Sequence, residues 1–205
     1  MRKIGFFGAS FDPITNSHLW TASKMAERCG LQKIIMGPCS TKRPDKTMKI
    51  SDEHRWNLLQ LAIADNPLFI ADDYEMQKEA SKVFTYFTME YYKQMHPNDE
   101  VYFMMGADLL VSIAKGEWQY GQELVENNKF IVMSRDGIDM QKTLADSKFL
   151  KPYVERFQLL EKGMEMEISS SYIRNELISN EDPKYLQYLM PRECYKYIMQ
   201  HGLYR

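Results

Sequence analysis

A chain of 205 residues, 44% hydrophobic and 26% charged, is long enough for one buried core and has an ordinary globular composition, which excludes disordered and fibrous classes. Its 26 basic and 28 acidic side chains leave a net charge of -2. That balance lacks the global basic field of a non-specific nucleic-acid binder, yet it allows one phosphorylated small molecule to be held by a few local charges. Cys29, Cys39 and Cys194 form no C-x-x-C pair, which argues against a disulfide framework or zinc ribbon and fits a reducing cytosol. Arg2 and Lys3 before the apolar residues 4–7 imitate the start of a signal peptide, but the apolar run stops at Asp12. No run of about 18 apolar residues is present to span a membrane. The expected setting is the cytoplasm, with neither membrane nor nucleic acid as partner.

Taken in chain order, residues 3–8 read as a short, continuously apolar strand of the buried parallel kind. Leu19, Ala22, Ala26 and Cys29 recur at helical spacing over about 16–29, with Gly30 at the C-terminal cap. Residues 33–36 form a second strand. A helix over 51–64 has Ser51 as N-cap, places Trp56, Leu59 and Ile63 on one face, and is followed by Pro67. A strand over 68–71, a helix over 83–95, and strands over 101–105 and 130–133 follow. The tail beyond about Pro152 reads as mainly helical, over 170–178 and 191–200, with Gly202 past the last helix. Strands separated by helices of this length imply βαβ units and a mostly parallel sheet. Residues 39–49 are polar and basic, with Lys42, Arg43, Lys46 and Lys49 around Pro44, as expected of a loop beside a site.

Two segments carry candidate chemistry. In the first, a strand ends at Gly8, a turn runs through Ala9, Ser10, Phe11, Asp12 and Pro13, and a helix starts near Asn16. The first βα turn of a parallel sheet is a favoured phosphate position, and the following helix offers unpaired N–H groups and the positive end of its dipole. Thr15 and His18 are three residues apart and can share one face, from which an imidazole could donate to phosphate oxygens. The second is Ile168-Ser169-Ser170-Ser171-Tyr172-Ile173-Arg174, where serine hydroxyls cluster at a helix start and a guanidinium lies one turn in.

Together these segments resemble the nucleotidylyltransferase superfamily with [H/T]-x-G-H and I-S-S-T-x-I-R motifs, and more narrowly the nicotinate/nicotinamide mononucleotide adenylyltransferases. The resemblance extends through Met105-Gly106-Ala107-Asp108, Trp118, Phe130-Ile131-Val132-Met133-Ser134-Arg135, Tyr188-Leu189-Met190-Pro191 and His201-Gly202-Leu203-Tyr204. Three departures stand out. Thr15 replaces the commoner first histidine, Ser17 stands where the motif has glycine, and Asp45 replaces the histidine of a P-H-K loop. The resemblance implies an α/β, Rossmann-like three-layer sandwich with a mostly parallel sheet and a helical C-terminal extension. It is expected as one domain over 1–205, with the sheet core in 1–135 and the extension in 150–205 carrying the second motif.

The reaction it implies is adenylyl transfer from ATP to a pyridine mononucleotide, releasing pyrophosphate, in NAD biosynthesis. Such chemistry rests on positioning and charge neutralisation. His18, Arg174 and Lys46 would be catalytic. Gly8, Ala9, Ser10, Phe11, Thr15, Ser17, Ile168, Ser170 and Ser171 would bind ATP phosphates. Gly106, Asp108 and Arg135 would contact ribose or adenine, and Trp118, Thr85 and Thr88 the pyridine. Mg²⁺ would be held mainly by substrate phosphates, with no dedicated metal site in the protein. A family tendency to homo-oligomerise enters as analogy only. The alternatives are a phosphopantetheine adenylyltransferase, which shares both signatures, and an inactive nucleotide-binding protein of the same fold.

Overall fold

The computed structural model describes residues 1–161, 167–181 and 183–205; residues 162–166 and 182 of the expected extension lie outside them. The elements are β1 (Lys3–Ala9), α1 (Asn16–Cys29), β2 (Lys33–Pro38), α2 (Asp52–Ile63), β3 (Phe69–Ala71), α3 (Thr85–Met95), β4 (Glu100–Gly106), α4 (Ala107–Ala114), α5 (Gly121–Asn127), β5 (Lys129–Met133), α6 (Met140–Asp146), β6 (Phe157–Leu160), α7 (Ser170–Ser179) and α8 (Arg192–Gln200). Six strands form one sheet in the order β3-β2-β1-β4-β5-β6, flanked by helices, which agrees with the Rossmann-like fold expected. The order reverses between β1 and β4, where sheets of this kind bind ligands beyond the strands' carboxyl ends.

The chain divides into two compact units. The first takes in Met1–Gly8, Thr21–Ile35 and the chain from Phe84 through β6. Its core is built on strand register. Parallel pairing aligns Phe6 with Phe103, Phe103 with Phe130, and Phe130 with Phe157, so one phenylalanine from each of four strands lies in a row. Ring centroids along this row are 6.1, 6.2 and 4.5 Å apart. Because side chains alternate between sheet faces, Ile4, Val101, Met105 and Val132 join the same face, where they pack with Leu110, Ile113, Leu124 and Leu144 from α4, α5 and α6.

The second unit takes in Ala9–Trp20, Met36–Val83 and the chain from the serine-rich motif to Arg205. Here α2 packs on α8 and β3. Ser51 caps α2, accepting from the His54 N–H at 3.3 Å. Gly30 and Gly202 both adopt positive φ (68° and 60°) after α1 and α8, the left-handed turn that lets a chain leave a helix.

Two expectations need correction. The stretch read as a mainly helical tail holds a strand, β6, so the sheet extends past residue 135 to Leu160. A four-residue edge strand carries almost no periodicity of its own; its identity comes from pairing with β5. Helix α3 also starts two residues later than its sequence suggests, because Phe84 is extended at φ -94° and ψ 143°.

Phe130 is fully buried between Phe103 and Phe157. Phe130→Ala is expected to lower unfolding free energy by about 3–5 kcal/mol in denaturant titrations, and a loss below ~1 kcal/mol would contradict this core assignment.

Candidate active site

The turn after β1 is held by its carbonyls. Ala9 C=O accepts from the Cys39 N–H at 2.9 Å, and Ser10 C=O from Arg55 Nη1 at 2.7 Å. Asp12 C=O accepts from Arg174 Nη1 at 2.7 Å, and Pro13 C=O from the Ser170 hydroxyl at 2.7 Å. The Asp12 side chain, 3% exposed, accepts from the Tyr204 hydroxyl on Oδ1 and from the Lys49 N–H on Oδ2, each at 2.7 Å. The Asp12–Pro13 peptide bond is cis, and Phe11 has φ 46°. With so many backbone acceptors paired to protein donors, this turn has little freedom to rearrange.

The turn delivers His18. The Thr15 N–H donates to His18 Nδ1 at 3.1 Å, and Thr15 Oγ1 lies 2.8 Å from the same nitrogen. A backbone N–H can only donate, so Nδ1 is the acceptor and a neutral ring carries its proton on Nε2. Thr15 is fully buried, and the Phe11 ring meets the imidazole edge-on at 5.3 Å. At the start of α1, the Asn16 N–H donates to Leu189 C=O and Asn16 Nδ2 to Tyr188 C=O, both at 2.9 Å. The Y-L-M-P segment thus fixes the first turn of the helix that bears His18.

The second motif meets the first directly. Ser169 caps α7, accepting from the Tyr172 N–H at 3.1 Å. Ser170 is tied to Pro13, and Arg174 bridges Asp12 C=O and the Ser171 hydroxyl, the latter at 2.9 Å. These contacts use two of the five guanidinium N–H donors. Ser10, Phe11, Thr15, His18, Ser170, Ser171 and Arg174 therefore belong to one connected network. Ser17 and Ile168 are half-buried and Lys46 is exposed.

The basic loop divides its charges. Lys42 Nζ donates to Lys78 C=O at 2.9 Å, and Arg43 forks onto Asp45 at 2.9 and 2.8 Å while reaching Val83 C=O at 3.3 Å. Two of the four cations thus hold the loop's shape, while Lys46 and Lys49 are exposed. Asp45, the departure from the family pattern, is the partner that orders Arg43. The Arg43 hydrogen bond, working against partial burial, holds the Asp45 carboxyl below its usual range. The pair's contribution is therefore complete above the usual carboxylate pKa of about 3.9 and is lost as pH falls further. Asp45 is half exposed, which keeps that contribution below about 1 kcal/mol.

In the first unit, Gly106, Asp108 and Arg135 lie together where β4 gives way to α4. Gly106 is the N-cap of α4, and a Cβ placed there would come within 2.4 Å of Asp108 Oδ1 and 3.7 Å of Arg135 Cδ. Asp108 and Arg135 are exposed, and Arg135 Nε lies 3.2 Å from Asp136. Trp118 is half-buried, its ring 6.0 Å from Phe103 and its N–H bonded to the Ser112 hydroxyl at 2.5 Å. Thr85 and Thr88 are buried on α3, with Thr88 Oγ1 3.5 Å from Phe84 C=O.

Sequence reasoning overlooked three residues. Asp12 reads in the sequence as no more than a turn residue that ends the apolar run, and Tyr204 as part of the His201-Gly202-Leu203-Tyr204 string. Arg55 was missed, although its spacing from Leu58 and Leu59 places a charge on the apolar face of α2. It is fully buried and reaches Ser10 C=O, Cys39 C=O (2.6 Å) and the Asp52 carboxylate. Arg55→Leu would strand two carbonyls and take the buried cation from the Asp52 carboxylate. It is expected to cost about 3 kcal/mol in chemical denaturation; wild-type stability would show that the buried charge holds nothing in place.

Comparison with known proteins shows the family to which the chain belongs. Residues 6–176 match the cytidylyltransferase-like family. The chain is 34% identical to a probable nicotinate-nucleotide adenylyltransferase of Clostridium tetani, covering 100% of both chains. It is 33% identical to the nicotinate-nucleotide adenylyltransferase of Bacillus subtilis, covering 100% of this chain and 99% of the relative. The solved structure of Plasmodium falciparum nicotinic acid mononucleotide adenylyltransferase complexed with NaAD aligns with a TM-score of 0.78 at 26% identity, covering 100% of this chain and 98% of that one. With both signature motifs joined in one hydrogen-bonded network and full-length relatives above 30% identity, this chain belongs to the cytidylyltransferase-like family and, within it, to the nicotinate-nucleotide adenylyltransferases.

Proposed function

We propose that the chain transfers the adenylyl group of ATP to nicotinate mononucleotide, forming the dinucleotide and releasing pyrophosphate. The observation that carries this reading is the His18 tautomer: Thr15 holds Nδ1 as an acceptor, which leaves Nε2 as the proton-bearing nitrogen of the neutral ring. The acceptor's phosphate oxygen forms a bond to the α-phosphorus while the bond from that phosphorus to the bridging oxygen of pyrophosphate breaks. No covalent enzyme intermediate is required. His18 Nε2 donates to phosphate oxygens as charge builds, a stabilisation greatest in the transition state.

Arg174, Ser170, Ser171, Ser10 and the turn's backbone hold the β and γ groups. Lys46 neutralises the acceptor phosphate from the loop shaped by Arg43 and Asp45. Asp108 and Arg135 take the adenosine, and Trp118, Thr85 and Thr88 the pyridine. Both carboxylate oxygens of Asp12 already accept hydrogen bonds, so the residues of this turn fit a Mg²⁺ ion carried by substrate phosphates and water. Such an ion would supply charge neutralisation to the triphosphate. The free, buried cysteines support a cytoplasmic setting, and among the described residues no helix is long and apolar enough to cross a membrane.

The test is pyrophosphate release from ATP with nicotinate mononucleotide, nicotinamide mononucleotide and phosphopantetheine in parallel. The nicotinate form is expected to give the highest kcat/KM; release with phosphopantetheine alone would refute the reading. His18→Ala is expected to reduce kcat by about 10²–10³-fold with an unchanged melting temperature. Retained turnover would remove His18 from the mechanism.

A further inference from the structure

Residues His201-Gly202-Leu203-Tyr204, which precede Arg205, form a device with a definite geometry. His201 is the C-cap of α8, and Gly202 follows in the left-handed conformation at φ 60°. The Gly202 N–H bonds to Met199 C=O at 3.4 Å and the Leu203 N–H to Ile198 C=O at 3.1 Å. That paired closure, with buried Leu203 as its apolar contact, is a Schellman termination. It reverses the chain and brings the Tyr204 hydroxyl to 2.7 Å from Asp12 Oδ1. The same aspartate accepts from the Lys49 N–H through its other oxygen and from Arg174 through its carbonyl. One buried residue therefore links the turn, the basic loop, the α7 arginine and the chain's C-terminal end.

We propose that Tyr204 is a positioning residue for adenylyl transfer: by donating to Asp12 Oδ1 it fixes the Asp12 peptide, and through that peptide's carbonyl it fixes the Arg174 guanidinium that holds the ATP phosphates. The inference rests on the functional reading above. Burial first, and then the adjacent Asp12 carboxylate, push the Tyr204 phenol far above its usual range, so it stays a donor at every working pH. Without that hydroxyl, a carboxylate oxygen of a residue only 3% exposed loses its partner. Asp12 must then turn toward another donor, carrying its carbonyl away from Arg174. The effect belongs to the ATP side of the reaction.

The experiment compares wild type, Tyr204→Phe, Asp12→Asn and the double variant by steady-state kinetics for both substrates, ATP binding by calorimetry without acceptor, and melting temperature. Tyr197→Phe is the control: it removes a hydroxyl from α8 that serves His54 and Asn57 at 3.0 and 2.9 Å. Tyr204→Phe is expected to weaken ATP binding and lower kcat/KM for ATP about tenfold or more, with KM for nicotinate mononucleotide within about twofold of wild type. The double variant is expected to fall little further than Asp12→Asn, since both act on one contact. Tyr197→Phe is expected to match wild type. Wild-type ATP binding and turnover in Tyr204→Phe, additive losses, or equal losses for both substrates in step with melting temperature would overturn the proposal. A wild-type protein that binds ATP but transfers it to no mononucleotide refutes the functional reading, while weaker ATP binding by Tyr204→Phe would still uphold the positioning role.

Discussion

The turn from Ala9 to Pro13 cannot relax without breaking bonds to several distant segments, and the chemistry of its unit depends on that constraint. Its carbonyls accept from Cys39, Arg55, Arg174 and Ser170, and its one carboxylate accepts from Tyr204 and Lys49. Each bond adds modestly to stability, but a buried polar group left unpaired costs more than the bond contributes. The donors therefore act together: losing one penalises a conformation that the others still enforce. The product is a turn, proposed to bind phosphate, whose shape is set by the protein's own bonds. Phosphoryl-type transfer benefits most from such rigidity, because its catalysis is largely fixed positioning and fixed dipoles.

The first unit supplies rigidity by another route. Four phenylalanines aligned across β1, β4, β5 and β6 make a row of ring contacts set by the parallel register. A slip of one residue on any strand would turn its phenylalanine to the other face. Register therefore also fixes where β4 ends, and so where Gly106 begins α4 with Asp108 in its first turn. Trp118 and Thr88 are anchored by hydrogen bonds to Ser112 and Phe84 within this unit, which orients them independently of a ligand.

Much of this was legible in residue order. The bounds of α1 follow from its apolar spacing and Gly30, and the alternation of strands and helices identifies the parallel sheet. The two motif segments point toward phosphate chemistry because hydroxyls, an imidazole and a guanidinium stand together at helix starts. Residues whose roles arise only in three dimensions were not legible. Strand β6 exists because β5 offers it a partner. Arg55 looks like a surface charge until its place on the buried face of α2 is noticed. Asp12 and Tyr204 are 192 positions apart, and nothing local to either announces the other. Asp45 was read as a missing histidine, whereas the structure shows the carboxylate that orders Arg43.

The central claim, that the turn is formed before ligand binds, is tested most directly by hydrogen exchange of the amides that hold it, those of Thr15, Asn16, His18, Cys39 and Lys49, with and without ATP. Bonds of the kind seen here should slow exchange of these amides well below the rate of an unstructured peptide in the free protein, with ATP adding only a small further factor. Exchange at the unstructured rate in the free protein, with protection appearing only when ATP is added, would mean that the ligand builds the turn and would contradict the account.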